Sequence, residues 1–101
     1  MQITRTFDFL YHQNEACPQK ESFGSKTKDG WKFFSSVEML QMSRELACGL
    51  IELGIQQGDR VGMIAYKNLP EWVILDMALA QLGVVSVPVY PTISSREYAY
   101  I

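Results

Sequence analysis

Residues 58–94, GDRVGMIAYKNLPEWVILDMALAQLGVVSVPVYPTIS, constrain the fold more than any other part of the chain. They carry the turn chemistry of strand, helix, strand. Residues 61–65 form a short apolar run after Gly58-Asp59, which predicts a strand buried on both faces. Asn68-Leu69-Pro70-Glu71 predicts a helix start, with Asn68 as cap, Glu71 closing a capping box, and Pro70 where no amide is needed. The helix is expected near 69–82, ending at Gly83, and residues 84–88 make the second strand. Two strands joined by a helix imply parallel pairing with a right-handed crossover. Apart from Asp76 and Gln81, residues 72–82 are apolar or small on every side. A helix of that kind expects cover around most of its circumference. Two strands and one other long helix are too little, so the core is expected to be larger than the chain.

Asp76 is the lone carboxylate in this apolar helix. It is readable as a base of raised pKa, or as a structural partner of an amide or basic group, and the residue types favour the second. In open parallel sheets ligands bind beyond the carboxyl ends of the strands. The loops there, Tyr66, Lys67 and Asn68 after the first strand and Tyr90, Pro91 and Thr92 after the second, are the candidate site borders.

The flanking sequence has its own punctuation. Thr4 or Thr6 is expected to cap a first helix over residues 7–16, with Phe7, Leu10 and Tyr11 as its apolar stripe. His12, the only histidine, lacks a second ligand at metal spacing and is expected to pair with Asp8. Lys28-Asp29-Gly30 between two extended runs predicts an N-terminal β-hairpin with Asp29-Gly30 at its tip, since both residues tolerate positive φ. Trp31, Phe33 and Phe34 break strict alternation, so both faces of that strand are expected to meet protein; without a basic groove they do not read as a base-stacking platform. Ser35 and Glu38 form a capping box for a helix reaching Leu53, with Val37, Leu40, Ala47, Leu50 and Ile51 near one face. Gly54 then takes the C′ position, with Ile55 folding back on Leu50. Gly49 and Gly54 have phosphate-loop spacing but lie in a helix with no following lysine, so they mark no nucleotide site. Ser94 and Glu97 form another capping box, opening a helix of less than two turns before Ile101. A capped start without a body reads as truncation.

The fold class is therefore α/β: a partial parallel sheet with one βαβ unit, flanking helices and an N-terminal hairpin, a truncated piece of a larger domain. The 101 residues, 48% hydrophobic and 20% charged, fit a globular chain and exclude a disordered one. A net charge of −2 gives no electrostatic case for nucleic acid or acidic lipid as a partner. There is no signal-peptide pattern and no unbroken apolar run of membrane-spanning length. Cys17 and Cys48, far apart, read as reduced thiols of a cytoplasmic protein.

The order Gly54-Ile-Gln-Gln-Gly-Asp-Arg-Val61, apolar strand, Asn68-x-Pro-Glu-Trp72, apolar helix, Leu82-Gly-Val-Val-x-Val-Pro88 resembles the N-terminal part of adenylate-forming enzymes. This superfamily includes acyl-CoA synthetases, luciferases and peptide-synthetase adenylation domains. Trp31-Lys-Phe-Phe-Ser-Ser36 is similar to its first core motif, and Ala80-Gln-Leu-Gly83 through Pro88 to its second. Glu71-Trp72 with Leu75-Asp76-Met77, and Val87 to Ser94 leading into Glu97-Tyr98, are most similar to bacterial long-chain fatty-acid CoA ligases. The resemblance implies a parent that uses ATP, Mg²⁺ and CoA to convert a fatty acid into its acyl-CoA through an acyl-AMP. In the family the phosphate loop, the adenine and magnesium residues and the C-terminal domain follow this region. No catalytic, cofactor or metal residue is therefore assigned here, and residues 1–101 are expected to be the N-terminal segment of the large adenylating domain, inactive alone. Its expected partner is the remainder of its own chain, with self-association of the isolated piece. The parent would be cytoplasmic, with peripheral contact to the inner membrane allowed. The competing expectation is a complete small α/β interaction module that hides its apolar helix in an oligomer.

Overall fold

Local capping chemistry sets most of the element boundaries in the computed structural model, which describes residues 2–67 and 69–101. The order is α1 (Asp8–Ala16), β1 (Phe23–Thr27), β2 (Gly30–Phe34), α2 (Ser36–Glu52), β3 (Arg60–Ile64), α3 (Pro70–Gln81), β4 (Val85–Val89) and α4 (Ser95–Tyr100). Both complete capping boxes form. Ser35 Oγ accepts from the Glu38 amide at 3.1 Å while the Glu38 carboxylate accepts from the Ser35 amide at 3.1 Å. Ser94 and Glu97 do the same at 3.3 and 2.8 Å. Helix ends follow the glycines. Gly54, at φ +94°, lets the Ile55 amide donate to the Leu50 carbonyl at 3.2 Å. Gly83, at φ +70°, places the Val84 amide 3.0 Å from the Leu79 carbonyl. Each is the six-to-one bond of a Schellman motif, and the conformation is one that a Cβ disfavours.

Three helix-start expectations change. Neither Thr4 nor Thr6 caps α1; Phe7 stands at its N-cap without a side-chain bond. Asp8 does the work from inside the helix, accepting from the Thr4 amide at 3.2 Å and the Arg5 amide at 3.0 Å. A carboxylate at the first helical position also meets the positive end of the helix dipole. Asp8 pairs with Arg5 at 3.0 Å, not with His12, because the guanidinium reaches both of its oxygens. The N-cap of α3 is Leu69, which makes no side-chain bond, with Pro70 beside it; the expected cap Asn68, and with it the expected box to Glu71, lies outside the described residues.

β1 and β2 pair antiparallel, Thr27 opposite Gly30, so Lys28 and Asp29 are the two loop residues. Gly30, which closes the turn, takes positive φ, at +128°. The Trp31 and Phe33 face of β2 is exposed, contrary to the expectation of cover on both faces, while Phe34 on the other face is buried.

β3 and β4 pair parallel, Val61 opposite Ser86 and Met63 opposite Pro88, joined by α3 as predicted. Both strands sit one residue from the predicted spans. Their burial differs from the expectation more. Val61 and Met63 face α3, but Ile64 and Val85 on the opposite face are 55% and 51% exposed. β3 is buried on one face only.

α3 is better covered than its all-round apolar sequence led us to expect. Leu10 of α1, Phe34 of β2, Met39 of α2 and Ile74 of α3 make one buried cluster. Met63, Leu79 and Val84 make a second, with Leu75 and Leu82 against it. α3 contributes to both, so layers close on it from two sides, and from Pro70 to Gln81 only Glu71 is exposed. Uncovered apolar surface lies instead on the far face of the sheet, at Ile64 and Val85, and on the outer sides of α2 and the hairpin. α2 turns its Met39, Ser43 and Ala47 face inward, with Leu40 and Leu50 at its margins, whereas Val37 and Ile51 are more than half exposed. Ser43 is buried without penalty: its hydroxyl donates to the Leu40 carbonyl at 2.8 Å and accepts from Gln81 Nε2 at 3.1 Å, tying α2 to α3.

Three carboxylates are held below their ordinary range, Asp8 chiefly by the Arg5 side chain, Glu38 by the Ser35 amide and Glu97 by the Ser94 amide. A depressed folded-state value contributes stability above the unfolded value, and that contribution is lost as pH falls through the folded one. The urea midpoint is therefore expected to hold above about pH 4.5 and to fall below it. The Asp8→Asn, Glu38→Gln pair should start from a lower midpoint and fall less steeply in acid. An acid slope identical to that of the unmodified chain would show that these groups contribute nothing.

Candidate functional site

The carboxyl ends of β3 and β4 lie side by side because the strands are parallel, which brings the segment after Ile64 next to the segment after Val89. Two shallow clefts open there. Met63, Ala65, Trp72, Pro88, Tyr90 and Pro91 line one. The other shares Met63, Ala65 and Trp72 and is bounded by Lys67, Leu69 and Glu71. Trp72, in the first turn of α3, is the wall between them. It points at the strand ends because Leu69 and Pro70 start the helix directly beside them.

The expected border residues take unequal places. Lys67 lines one cleft; Tyr90 and Pro91 line the other. Tyr66 lines neither and is 85% exposed, as is Tyr90 at 79%. Thr92 is exposed away from both clefts, and Asn68 lies outside the described residues. Sequence reasoning missed Met63, Ala65 and Trp72 as walls. The available signal was the position of Trp72 three residues after the helix cap. The Tyr90 carbonyl accepts from Tyr98 Oη at 3.0 Å, which ties α4 to the loop after β4.

The chemistry of the clefts is that of walls. Asp76 accepts from Ser86 Oγ at 3.2 Å, joining the middle of α3 to β4, a structural role filled by a hydroxyl and not by the expected amide or basic group. Cys17 and Cys48 are exposed and unbridged. Among the described residues no three His, Cys, Asp or Glu side chains group to hold a metal ion, and no helix is long and apolar enough to cross a membrane. A wider open groove lies far from the strand ends, between α1 and α2, with Asn14, Val37, Leu40 and Arg44 along it. Its one cation is Arg44, and Glu45 and Cys48 also line it.

The model of the AMP-binding enzyme family matches residues 10–101. The chain belongs to the AMP-binding enzyme family. It is 38% identical over 71 residues to long-chain-fatty-acid–CoA ligase FadD15 of Mycobacterium bovis, which covers 70% of this chain and 12% of that protein. It is 30% identical over 105 residues to the peroxisomal long chain acyl-CoA synthetase 7 of Arabidopsis thaliana, covering 99% of this chain and 15% of the relative. Among solved structures, that of IdnL1 superposes with a TM-score of 0.85 at 21% identity, over 97% of this chain and 20% of the other. The α/β arrangement of this chain is thus that of the corresponding part of IdnL1, and the chain spans about an eighth of the mycobacterial relative's length.

Proposed function

We propose that these residues form the N-terminal segment of the large adenylating domain of a fatty-acid CoA ligase. The complete protein would join a fatty acid to CoA at the expense of ATP. The carboxylate displaces pyrophosphate to give an acyl-AMP, and the CoA thiol then displaces AMP to give the thioester. One observation carries the reading: the 38% identity over 71 residues to a long-chain-fatty-acid–CoA ligase. The shared βαβ architecture supports it.

Within this reading the segment contributes scaffold, with Tyr66, Lys67, Asn68, Tyr90, Pro91 and Thr92 as border loops of a site completed by later residues. The described residues do not fit a magnesium–triphosphate group. They hold no grouped carboxylates, Lys67 is the one cation in the two border loops, and the glycines with positive φ all serve turns or helix ends. Phosphate loops need converging amides and a lysine, so no reaction step is assigned to this chain's side chains.

The test is CoA-dependent pyrophosphate release by the complete protein, offered fatty acids of several lengths beside aromatic and amino acids. Turnover is expected with fatty acids, and none from the 101-residue chain alone. Turnover with amino acids only would move the protein to the peptide-synthetase branch. Activity of the isolated chain would refute the scaffold role.

A further inference from the structure

The two outer edges of the β3–β4 pair differ in what they offer a further strand. The Val85 amide donates to the Asp59 carbonyl at 2.8 Å, and Arg60 stands opposite Val85 in the parallel register. Residues 85, 87 and 89 therefore turn their backbone groups toward β3, and Ser86 and Pro88 turn theirs to the outer edge. Pro88 has no N–H, so that edge lacks a donor where a ladder needs one. On β3 the outward residues are Arg60, Gly62 and Ile64, each with both a donor and an acceptor. Among the described residues no strand pairs with either edge. Within sheets proline is confined to edge strands, with its nitrogen on the unpaired side. Two strands are also a marginal sheet, and this chain spans 12% of the mycobacterial relative. The geometry makes β4 the end of the sheet and β3 the strand on which it grows.

The chain then has to double back. It steps from β3 through α3 to β4 in one direction, so a parallel strand entered after α4 lies beyond β3, in the other direction. Crossovers between parallel strands are right-handed, and reversing the direction of the step places the second connection on the face opposite α3. On that face Ile64 and Val85 are more than half exposed, with Val87 and Val89 beside them. The proline at the edge and the apolar face without cover are separate observations, and both require this path. The strand order reverses between β3 and its new neighbour. In open parallel sheets ligands bind beyond the carboxyl ends at such a reversal. The loop after Ile64 stands there, whereas the loop after Val89 stands at the margin of the sheet.

We propose that the sheet of the complete protein extends from the β3 edge, that the connection beginning with α4 covers the Ile64 and Val85 face, and that the substrate crevice opens at the strand reversal beside Ala65, Tyr66 and Lys67. Lys67 lines the cleft there with Trp72 and Glu71, and among the described residues it makes no ion pair. Its ammonium group meets an anionic group of a substrate, the carboxylate of the acid or a phosphate of CoA. The strand order is independent of the acyl-CoA ligase reading; the identity of the anion rests on it.

The first measurement is amide hydrogen exchange of the complete protein, resolved to single residues. The Gly62 and Ile64 amides should exchange about a hundredfold or more slowly than that of Ser86, because a neighbouring strand accepts from them and nothing accepts from Ser86. The second is kinetics. Lys67→Ala should raise KM for either the carboxylic acid or CoA by about tenfold, and the substrate affected names the anion. Lys67→Arg, which keeps the charge, should stay within a few-fold of the unmodified protein. Arg44→Ala on α2 should change neither KM, and equal unfolding midpoints for all three variants separate lost contact from lost fold. A protected Ser86 amide beside freely exchanging Gly62 and Ile64 amides would overturn the strand order. Unchanged KM for both substrates in Lys67→Ala would overturn the crevice. Turnover of amino acids in place of fatty acids would defeat the ligase reading and leave the expected exchange pattern standing.

Discussion

Leu79→Ala should cost the complete protein about 2–5 kcal/mol, the largest stability loss expected from any single truncation in this segment. Leu79 is fully buried, and it forms the second cluster with Met63 of β3 and Val84 at the start of β4. Its carbonyl also accepts the Val84 amide that turns the chain from α3 into β4. Truncation opens a cavity where helix, strand and helix end meet, and the Schellman bond limits how far the backbone can collapse into it. Leu79→Met, which nearly conserves volume, should cost less than about 1.5 kcal/mol. Urea denaturation checks both; similar midpoints for the two variants would mean that this cluster does not hold the βαβ unit together.

Val85→Lys is expected to act in opposite directions in two contexts. Val85 and Ile64, 51% and 55% exposed, lie on the outer face of the sheet. If that face receives the remainder of the large domain, a lysine there is a buried, unpaired charge and destabilises the complete protein by about 3 kcal/mol or more. In the isolated chain the same lysine stays in water and removes part of an apolar patch, so the monomer fraction should rise. Val85→Ile should leave both nearly unchanged. Sedimentation velocity on the isolated chain and chemical denaturation of the complete protein give the two readings. A complete protein that tolerates Val85→Lys within about 0.5 kcal/mol would place this face in solvent and refute the larger-domain proposal.

Some of this was written in local sequence. Ser35 with Glu38, Ser94 with Glu97, and the glycines at positions 54 and 83 each act through groups a few residues apart, so capping chemistry fixed those helix ends without help from the rest of the fold. The parallel strands and their linking helix were legible for the same reason, as were the loops at the strand ends. Tertiary structure decided what packs on what. A helix apolar on all sides does not reveal how its cover is divided; α3 is enclosed because α2 and the hairpin close on one side and the sheet on the other. The open side is consequently the outer face of β3 and β4, where Ile64, Val85, Val87 and Val89 lie beside Arg60 and Gly62. Asp8 displaced the expected threonine caps because its carboxylate could satisfy two backbone amides and Arg5 together. Trp72 became a cleft wall, and Trp31 an exposed ring, through the register of elements distant in sequence. A residue's type gives its hydrophobicity and hydrogen-bonding capacity, but its exposure is set by which surfaces the fold brings over it.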